Sequence, residues 1–375
     1  MKNDPVYSDE YWMGHAIAEA VKARGHTSPN PMVGAVLLRK GRRLAVGYHH
    51  RAGLPHAEIE ALKQVKDPRG ATLYVTLEPC CHEGKRTPPC TEAILRSGIK
   101  KVIVGTLDPN PKVSGKGVKI LRRAGIDVEV GILEEECRAI NVFYNHWITT
   151  GKPWVVMKTA ASLDGRIALA NGKSRWITGE ASRACVHQLR SEVDGILVGV
   201  GTVEADDPEL TARHRKGLRQ PIRVILDPSF RISIRAKVLD PRADSPCWII
   251  VAPGRISAAK REQVQRRNAE VIVAPLRRNG EFDLTKLLHL LGKRGMVSLL
   301  VEGGPKVWTS FHRQNAFQEL WAFVAPKLLG ADAKSMLAPF GLTTLQQKFP
   351  LQLSDVEVFG EDVLMVYRRP RTRQN

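Results

Sequence analysis

The chain has 375 residues, 43% of them hydrophobic and 25% charged, which suffices for two domains of ordinary size and excludes one small module. Lys and Arg number 57 against 38 Asp and Glu, a formal net charge of +19 that points to anionic ligands and admits nucleic acid as a partner. No apolar run reaches the roughly 18 to 20 residues of a membrane-spanning helix. The polar start from Met1 to Glu10 has no signal-peptide core, so a soluble, cytoplasmic protein is expected.

Helical and strand signals alternate through the first part. Tyr11 to Arg24 has helical apolar spacing, Val33 to Leu38 reads as a strand, and His56 to Lys66 as a helix entered from Gly53-Leu54-Pro55. A strand at Ala71 to Leu77, a helix at Pro89 to Ser97, a strand at Lys101 to Gly105, a helix at Gly117 to Ala124 and a strand at Val128 to Val130 follow. Gly151-Lys152-Pro153 breaks the pattern and a new strand starts at Trp154, which puts a domain boundary there, with domains 1–149 and 150–375. Beyond it strands are expected at Gly195 to Val200, Ile222 to Leu226, Cys247 to Val251, Glu270 to Ala274 and Ser298 to Val301. Helices are expected at Glu180 to Ser191, Ala258 to Arg267, Asp283 to Gly292 and Lys306 to Arg313. Val356 to Phe359 and Val363 to Tyr367 read as a β-hairpin about Gly360-Glu361-Asp362, so part of this sheet is antiparallel, and the tail from Arg368 to Asn375 is expected to be disordered. Both domains therefore read as layered α/β.

Six cysteines are too few for a disulfide scaffold, and three of them, Cys80, Cys81 and Cys90, crowd beside prolines and a histidine, a grouping that suggests metal chemistry in a reducing compartment. His56-Ala57-Glu58 followed by Pro79-Cys80 and Pro89-Cys90 offers one imidazole and two thiolates, a three-ligand set that leaves a fourth tetrahedral position on zinc for water. Glu58 is placed to move protons without binding the metal. This is the arrangement of zinc-dependent nucleobase deaminases. Nine residues separate Cys80 from Cys90 where two are usual, so either this pair ligates across a longer loop or Cys81 or His82 takes a place; Cys80 and Cys90 are favoured, because each follows a proline and Cys90 can open a helix whose dipole stabilises a thiolate. Cys137, Cys185 and Cys247 stand alone and read as small core hydrophobes.

The stretch from Leu77 to Cys90, with its Thr87-Pro88-Pro89-Cys90 end, and Ser28-Pro29-Asn30-Pro31-Met32-Val33-Gly34 resemble the deaminase part of the bifunctional bacterial riboflavin-biosynthesis deaminase/reductases. The loop at Lys85-Arg86 is a residue longer than in some members. The resemblance implies a cytidine-deaminase-like α/β/α domain, with His56, Cys80 and Cys90 holding one Zn²⁺ per chain, Glu58 catalytic and Asn30 touching the pyrimidine. Taken by itself, Asn30 reads equally as a turn-forming residue before a proline.

Past the boundary lie polar clusters at strand ends: Lys158 to Arg166, Ser174 to Thr178, and Gly199 to Arg213. Gly199-x-Gly201 falls short of a dinucleotide fingerprint. Val301-Glu302-Gly303-Gly304-Pro305, between a strand and a helix, is the better anion signal, since two glycines let a pyrophosphate approach free N–H groups. The order of these segments resembles the reductase part of the same family, covering the chain from about Met13 to Tyr367. It implies a dihydrofolate-reductase-like α/β domain using NADPH. By that resemblance Ala160, Trp176, Thr202, Asp206, Gly304, Pro305, Lys306, Val307, Trp308, Thr309 and Ser310 contact the cofactor, and Ser174, Arg190, Leu210, Arg213 and Glu302 the substrate. Arg190 and Arg213 suit a phosphate through bidentate hydrogen bonds. Pro228 stands where some relatives have a serine that touches the cofactor, which moves that contact to Ser229 or removes it. Lys158 is a further residue for the sugar, or a surface lysine at a strand start; the sequence names no general acid for the reduction, and Asp206 is a candidate only.

The implied function is consecutive: hydrolytic deamination of 2,5-diamino-6-ribosylamino-4(3H)-pyrimidinone 5′-phosphate to 5-amino-6-(5-phosphoribosylamino)uracil, then NADPH-dependent reduction of the ribose to the ribityl chain. The implied partners are a small-molecule substrate and further copies of the chain in a dimer or tetramer, without nucleic acid or membrane. A tRNA deaminase with an appended basic domain would need stacking aromatics among its basic residues, yet aromatics are 6%. A non-enzymatic zinc-stabilised binding protein would tolerate loss of Glu58. The 35 basic against 22 acidic residues beyond Thr150 place most of the positive charge where a phosphorylated cofactor and substrate are expected.

Overall fold

A computed structural model describes residues 7–81, 88–214, 218–344 and 350–370. The chain divides into two compact units, Met1–Gly151 and Lys152–Asn375.

The first unit runs α1 (Asp9–Val21), β1 (Gly34–Arg39), β2 (Arg42–Tyr48), α2 (Ala57–Leu62), β3 (Thr72–Leu77), α3 (Cys90–Ser97), β4 (Lys101–Thr106), α4 (Lys116–Arg123), β5 (Asp127–Val130), α5 (Glu134–Ala139) and α6 (Val142–Thr150). Its five strands lie in the order β2-β1-β3-β4-β5, with β1 antiparallel to both neighbours and β3, β4 and β5 parallel. Side chains alternate between the faces with the two-residue period of a strand. Ala35 and Leu37 join Leu73, Val75 and Val102 in one core layer, while Val36 and Leu38 join Tyr74, Ile103, Trp12 and Met13 in the other. Two glycines set how closely the helices approach: a Cβ on Gly34 would lie 1.9 Å from the Ala16 carbonyl oxygen of α1, and one on Gly47 2.4 Å from that of Ala57 in α2. The sequence reading passed over β2, whose first residues Arg42 and Arg43 are exposed and whose hairpin turns on Lys40-Gly41, both at positive φ, in place of an Asn-Gly signal. It also ran α2 on to Lys66, whereas the helix ends at Leu62, and it did not separate α5 and α6.

The second unit runs β6 (Trp154–Ser162), β7 (Arg166–Ala168), α7 (Glu180–Glu192), β8 (Gly195–Gly199), α8 (Val200–Asp206), β9 (Ile222–Leu226), β10 (Cys247–Val251), α9 (Ala258–Gln265), β11 (Ala269–Val273), α10 (Leu284–Lys293), β12 (Ser298–Val301), α11 (Pro305–Arg313), β13 (Glu319–Ala325), β14 (Lys334–Ser335), β15 (Gln352–Phe359) and β16 (Asp362–Arg368). Nine strands form one sheet in the order β11-β10-β9-β8-β12-β6-β13-β16-β15. It is parallel through β13, and the β15–β16 hairpin adds antiparallel pairs at its end. Leu284, Leu287, Leu288 and Leu291 bury one stripe of α10 at helical spacing against this sheet, together with Trp308 and Phe311 of α11. Truncating Leu287 to Ala would cost about 2 to 5 kcal/mol. The expected disordered tail needs correction at its start: Arg368 closes β16 and pairs with Glu319 at 2.8 Å, and Arg369 donates to the Asn315 carbonyl at 2.6 Å. Residues 371–375 lie outside the described residues.

Candidate functional sites

The first site is assembled at the C-terminal end of β3, the central strand of the first sheet. His56 is the N-cap of α2, Cys80 follows β3 and Cys90 opens α3. The His56 Nδ1 lies 3.6 Å from the Cys80 Sγ and 3.2 Å from the Cys90 Sγ, and the three donor atoms all lie within 4.8 Å of one another. The Cys90 backbone N–H also donates to the Cys80 Sγ at 3.4 Å. Of the sequence alternatives, Cys81 stands outside this cluster and His82 falls outside the described residues, as do Lys85 and Arg86. Glu58, in the first turn of α2, is 2% exposed. Its Oε2 is buried and has no hydrogen-bond partner among the described residues. Burial pushes its carboxyl above the ordinary carboxylate range, and the shared hydrogen bond with Cys80, then burial, pushes the Cys90 thiol up. The Cys90 thiol and the Glu58 carboxyl, both of which resist charging, beside a second thiol and an imidazole fit a divalent cation, which favours the thiolates and the ionised carboxyl together.

His56, Glu58 and Cys80 open into a cavity of about 550 Å³. Asn30, called from sequence, lines it with His49, Glu78, Asp108, Asn110, Tyr144 and Trp147, none of which the sequence reading singled out. The His49 Nδ1 donates to the Pro55 carbonyl at 3.0 Å, so its Nε2 accepts from the Asn30 Nδ2 at 3.1 Å and fixes which way the Asn30 amide points. The turn carrying Asn30 is itself clamped by Asn141, whose amide accepts from the Met32 N–H and donates to the Met32 carbonyl, both at 2.8 Å. Glu78 holds the far wall: its carboxylate accepts from the N–H groups of Asp108, Gly115 and Val118, and Asp108 in turn accepts from the Tyr144 hydroxyl at 3.1 Å.

The second site is a cavity of about 690 Å³ in the second unit. Of the sequence-called residues, Ala160, Ser174, Trp176, Asp206, Arg190, Arg213 and Glu302 line it. Thr202, Leu210 and the Gly304–Ser310 segment do not. Leu210 is buried at 4% exposure, which withdraws its side chain from any ligand, and Trp308 and Thr309 are buried as well, Trp308 within the hydrophobic core. What α11 leaves for a ligand is the backbone of its first turn. A Cβ on Gly303 would meet Val307 at 2.6 Å and one on Gly304 the Thr202 Oγ1 at 3.7 Å, so the glycines keep this turn open beside α8, a cradle that fits a dinucleotide phosphate.

A second correction concerns Arg190. Its Nε and Nη2 donate to the two oxygens of Glu302 at 2.7 and 2.9 Å, and its Nη1 to the Thr211 carbonyl at 3.1 Å. The side-on fork expected for a phosphate is therefore committed to a carboxylate. Burial alone would raise the Glu302 carboxyl, but the cations of Arg190 and Lys158 outweigh it and hold it at about 2. Lys158 is no surface lysine: its Nζ lies 3.9 Å from the Glu302 Oε2 and burial lowers its pKa. Arg213 donates to Glu209 at 2.9 Å and remains half exposed. Sequence reasoning missed Arg183 and His187, which line the cavity with Arg190 from one face of α7; their spacing of four and then three residues was the available signal. Arg183 stacks 4.5 Å from the ring centre of Trp176, which is 63% exposed.

Comparison with known proteins gives a match for each unit. The family model described as "RibD C-terminal domain" matches residues 153–365, and "Cytidine and deoxycytidylate deaminase zinc-binding region" matches residues 6–106. Riboflavin biosynthesis protein RibD of Aquifex aeolicus is 42% identical over 362 residues, 96% of this chain and 98% of that one. The structure of Acinetobacter baumannii RibD superposes with a TM-score of 0.87 at 37% identity, covering 97% and 99% of the two chains. That of a diaminohydroxyphosphoribosylaminopyrimidine deaminase/5-amino-6-(5-phosphoribosylamino)uracil reductase from Thermotoga maritima gives 0.84 at 36% identity, covering 96% and 98%.

Proposed function

The chain belongs to the RibD family of riboflavin biosynthesis proteins, bifunctional deaminase/reductases with a zinc-binding deaminase domain, and from that premise we propose what each site does. The first unit deaminates 2,5-diamino-6-ribosylamino-4(3H)-pyrimidinone 5′-phosphate, and the second reduces the ribose of the product, 5-amino-6-(5-phosphoribosylamino)uracil, to the ribityl chain. The observation that carries the reading is the convergence of His56, Cys80 and Cys90 beside the unpartnered Oε2 of Glu58 in a cavity that Asn30 also lines.

His56, Cys80 and Cys90 would hold zinc, which when bound supplies a Lewis acid able to make water acidic near neutral pH. Glu58 takes one proton from the attacking water and passes it to the ring nitrogen, then takes the second from the hydroxyl so added and passes it to the amino group, which leaves as ammonia while the carbonyl forms. Burial raises the Glu58 pKa, which makes the carboxylate a stronger base toward water. With its Nδ2 engaged by His49, Asn30 turns its Oδ1 to accept from the pyrimidine edge.

In the second unit Ala160, Trp176, Asp206, Thr202 and the first turn of α11 would hold NADPH, which supplies a hydride to C1′. Ser174, Arg213 and the Arg190–Glu302 pair line the substrate's place. The buried Lys158, rather than the exposed Asp206, is the better placed proton donor to the oxygen released when the ribose opens, since burial already weakens its hold on the proton. None of the six cysteines is joined in a disulfide, which supports a cytoplasmic, reducing setting. The edge strand β15 exposes Leu353, Val356 and Val358, which supports a homo-oligomer built through this unit.

The test is an assay of the full chain with the phosphoribosyl diaminopyrimidinone, zinc and NADPH, following ammonia and the absorbance of NADPH together. Both signals are expected, ammonia first. Neither appearing would sink the reading.

A further inference from the structure

His187 lies in the middle of α7, four residues after Arg183 and three before Arg190, and lines the second cavity with both. Its Nδ1 faces the backbone N–H of Arg213 at 3.3 Å. That N–H can only donate, so Nδ1 is the unprotonated nitrogen and the single proton of the neutral ring sits on Nε2. Among the described residues no hydrogen bond from Nε2 falls within 3.5 Å, although the Thr211 carbonyl lies close enough to the ring to favour its protonation slightly, and the residue lines the cavity. Burial, and after it the cations of Arg190 and Arg213, hold the ring at about 4, which keeps it neutral near pH 7.

The surrounding cations are already engaged: Arg190 on Glu302, Arg213 on Glu209, and Arg183 on the Thr178 carbonyl at 2.7 Å. A fixed neutral donor among them adds direction without adding charge. On the reading that this cavity takes a phosphorylated sugar, we propose that His187 is a specificity-determining residue whose Nε2–H donates to the phosphate monoester of the reductase substrate. Arg213 is thereby coupled to it, because the N–H that sets the tautomer belongs to a residue of the same cavity.

The experiment uses the full chain with His187→Leu, which removes the donor, and His187→Gln, which returns an N–H at similar reach. Binding of ribose 5-phosphate and of ribose is measured by calorimetry, beside reductase KM and kcat and, as a control for folding, ammonia release and NADPH binding. Leucine is expected to weaken ribose 5-phosphate binding and raise the substrate KM about tenfold, with kcat and ribose binding changed less than about threefold, and glutamine to restore most of the loss. If leucine abolishes NADPH binding, the glutamine variant decides: affinity for ribose 5-phosphate within about threefold of the parent supports the assignment and a tenfold loss overturns it. Equal losses for ribose and ribose 5-phosphate, or no loss for either, also overturn it. Because the calorimetry needs no turnover, a parent protein that binds ribose 5-phosphate through His187 but oxidises no NADPH would count against the reductase reading and leave the His187 assignment standing.

Discussion

Glu302 and Arg190 face each other as two parallel hydrogen bonds, 2.7 and 2.9 Å long, in the wall of the second cavity, with Lys158 3.9 Å behind the carboxylate. Both side chains are nearly out of water, at 10% and 14% exposure. Removing one charge from such a pair is far more damaging than removing the pair, because the survivor stays buried without compensation. Glu302→Gln is therefore expected to destabilise the second unit by roughly 3 kcal/mol or more. NADPH oxidation on the deaminated substrate should fall by about two orders of magnitude, since Lys158 loses its counter-ion and Arg190 its anchor. Ammonia release supplies the internal control and should not change. A variant that reduces at the parent rate would show the pair to be dispensable scaffolding.

Glu58→Gln separates the metal from the chemistry. Glutamine keeps the size of the side chain but can neither accept nor return a proton, while His56, Cys80 and Cys90 are untouched. Zinc content measured by atomic absorption should stay at the parent level, ammonia release should drop by about 10² to 10⁴, and NADPH oxidation on the deaminated substrate should persist. Loss of zinc in this variant would instead make Glu58 part of the metal's own support.

Much of this was legible from residue order alone. The His-x-Glu and two Pro-Cys pairs are local signals whose spacing survives folding, and the glycine pair at Gly303-Gly304 sits between a strand and a helix as read. What the sequence hid has identifiable causes. The cavity-lining partners of the zinc-type site, His49, Asp108 and Tyr144, come from three separate segments joined only by tertiary hydrogen bonds, and nothing in their neighbourhoods marks them. Arg190 was read as a phosphate clamp because its partner Glu302 is 112 residues away. The strand β13, buried in mid-sheet between β6 and β16, was missed although its Trp, Phe and Val are strand formers.

Asp362 ties the β15–β16 hairpin to the start of α7. Its Oδ2 accepts from the Gly179 N–H at 2.7 Å and from the Ser182 hydroxyl at 2.6 Å, so one buried oxygen caps the helix that carries Arg183, His187 and Arg190. Asp362→Ala leaves both donors without their partner and is expected to cost about 1 to 3 kcal/mol. The KM for substrate and NADPH should rise severalfold as the 174–179 segment loosens, with deamination unaffected. Asp362→Asn retains an acceptor oxygen and should stay close to the parent; if asparagine is as damaging as alanine, the charge rather than the cap is what matters.

His312 predicts how the second unit responds to acid. It lies in the last turn of α11, 4.7 Å from the ring of Phe317 and 5.8 Å from that of Trp308. A helix C-terminus favours a protonated histidine by about 0.3 to 1 kcal/mol, yet burial is the larger effect and holds this ring at about 4, below its ordinary 6.5. Between those values the unfolded chain binds a proton that the folded chain refuses, so stability is full above pH 6.5 and falls as the pH drops towards 4. The slope is at most roughly 1.4 kcal/mol per pH unit for one such group. His187 shifts the same way and adds a smaller share, being more exposed. Calorimetric unfolding at pH 7, 6 and 5 should show the melting temperature of the second unit falling across this range, and His312→Phe should flatten the fall. Parallel pH profiles for parent and variant would mean that His312 is not a source of the acid sensitivity.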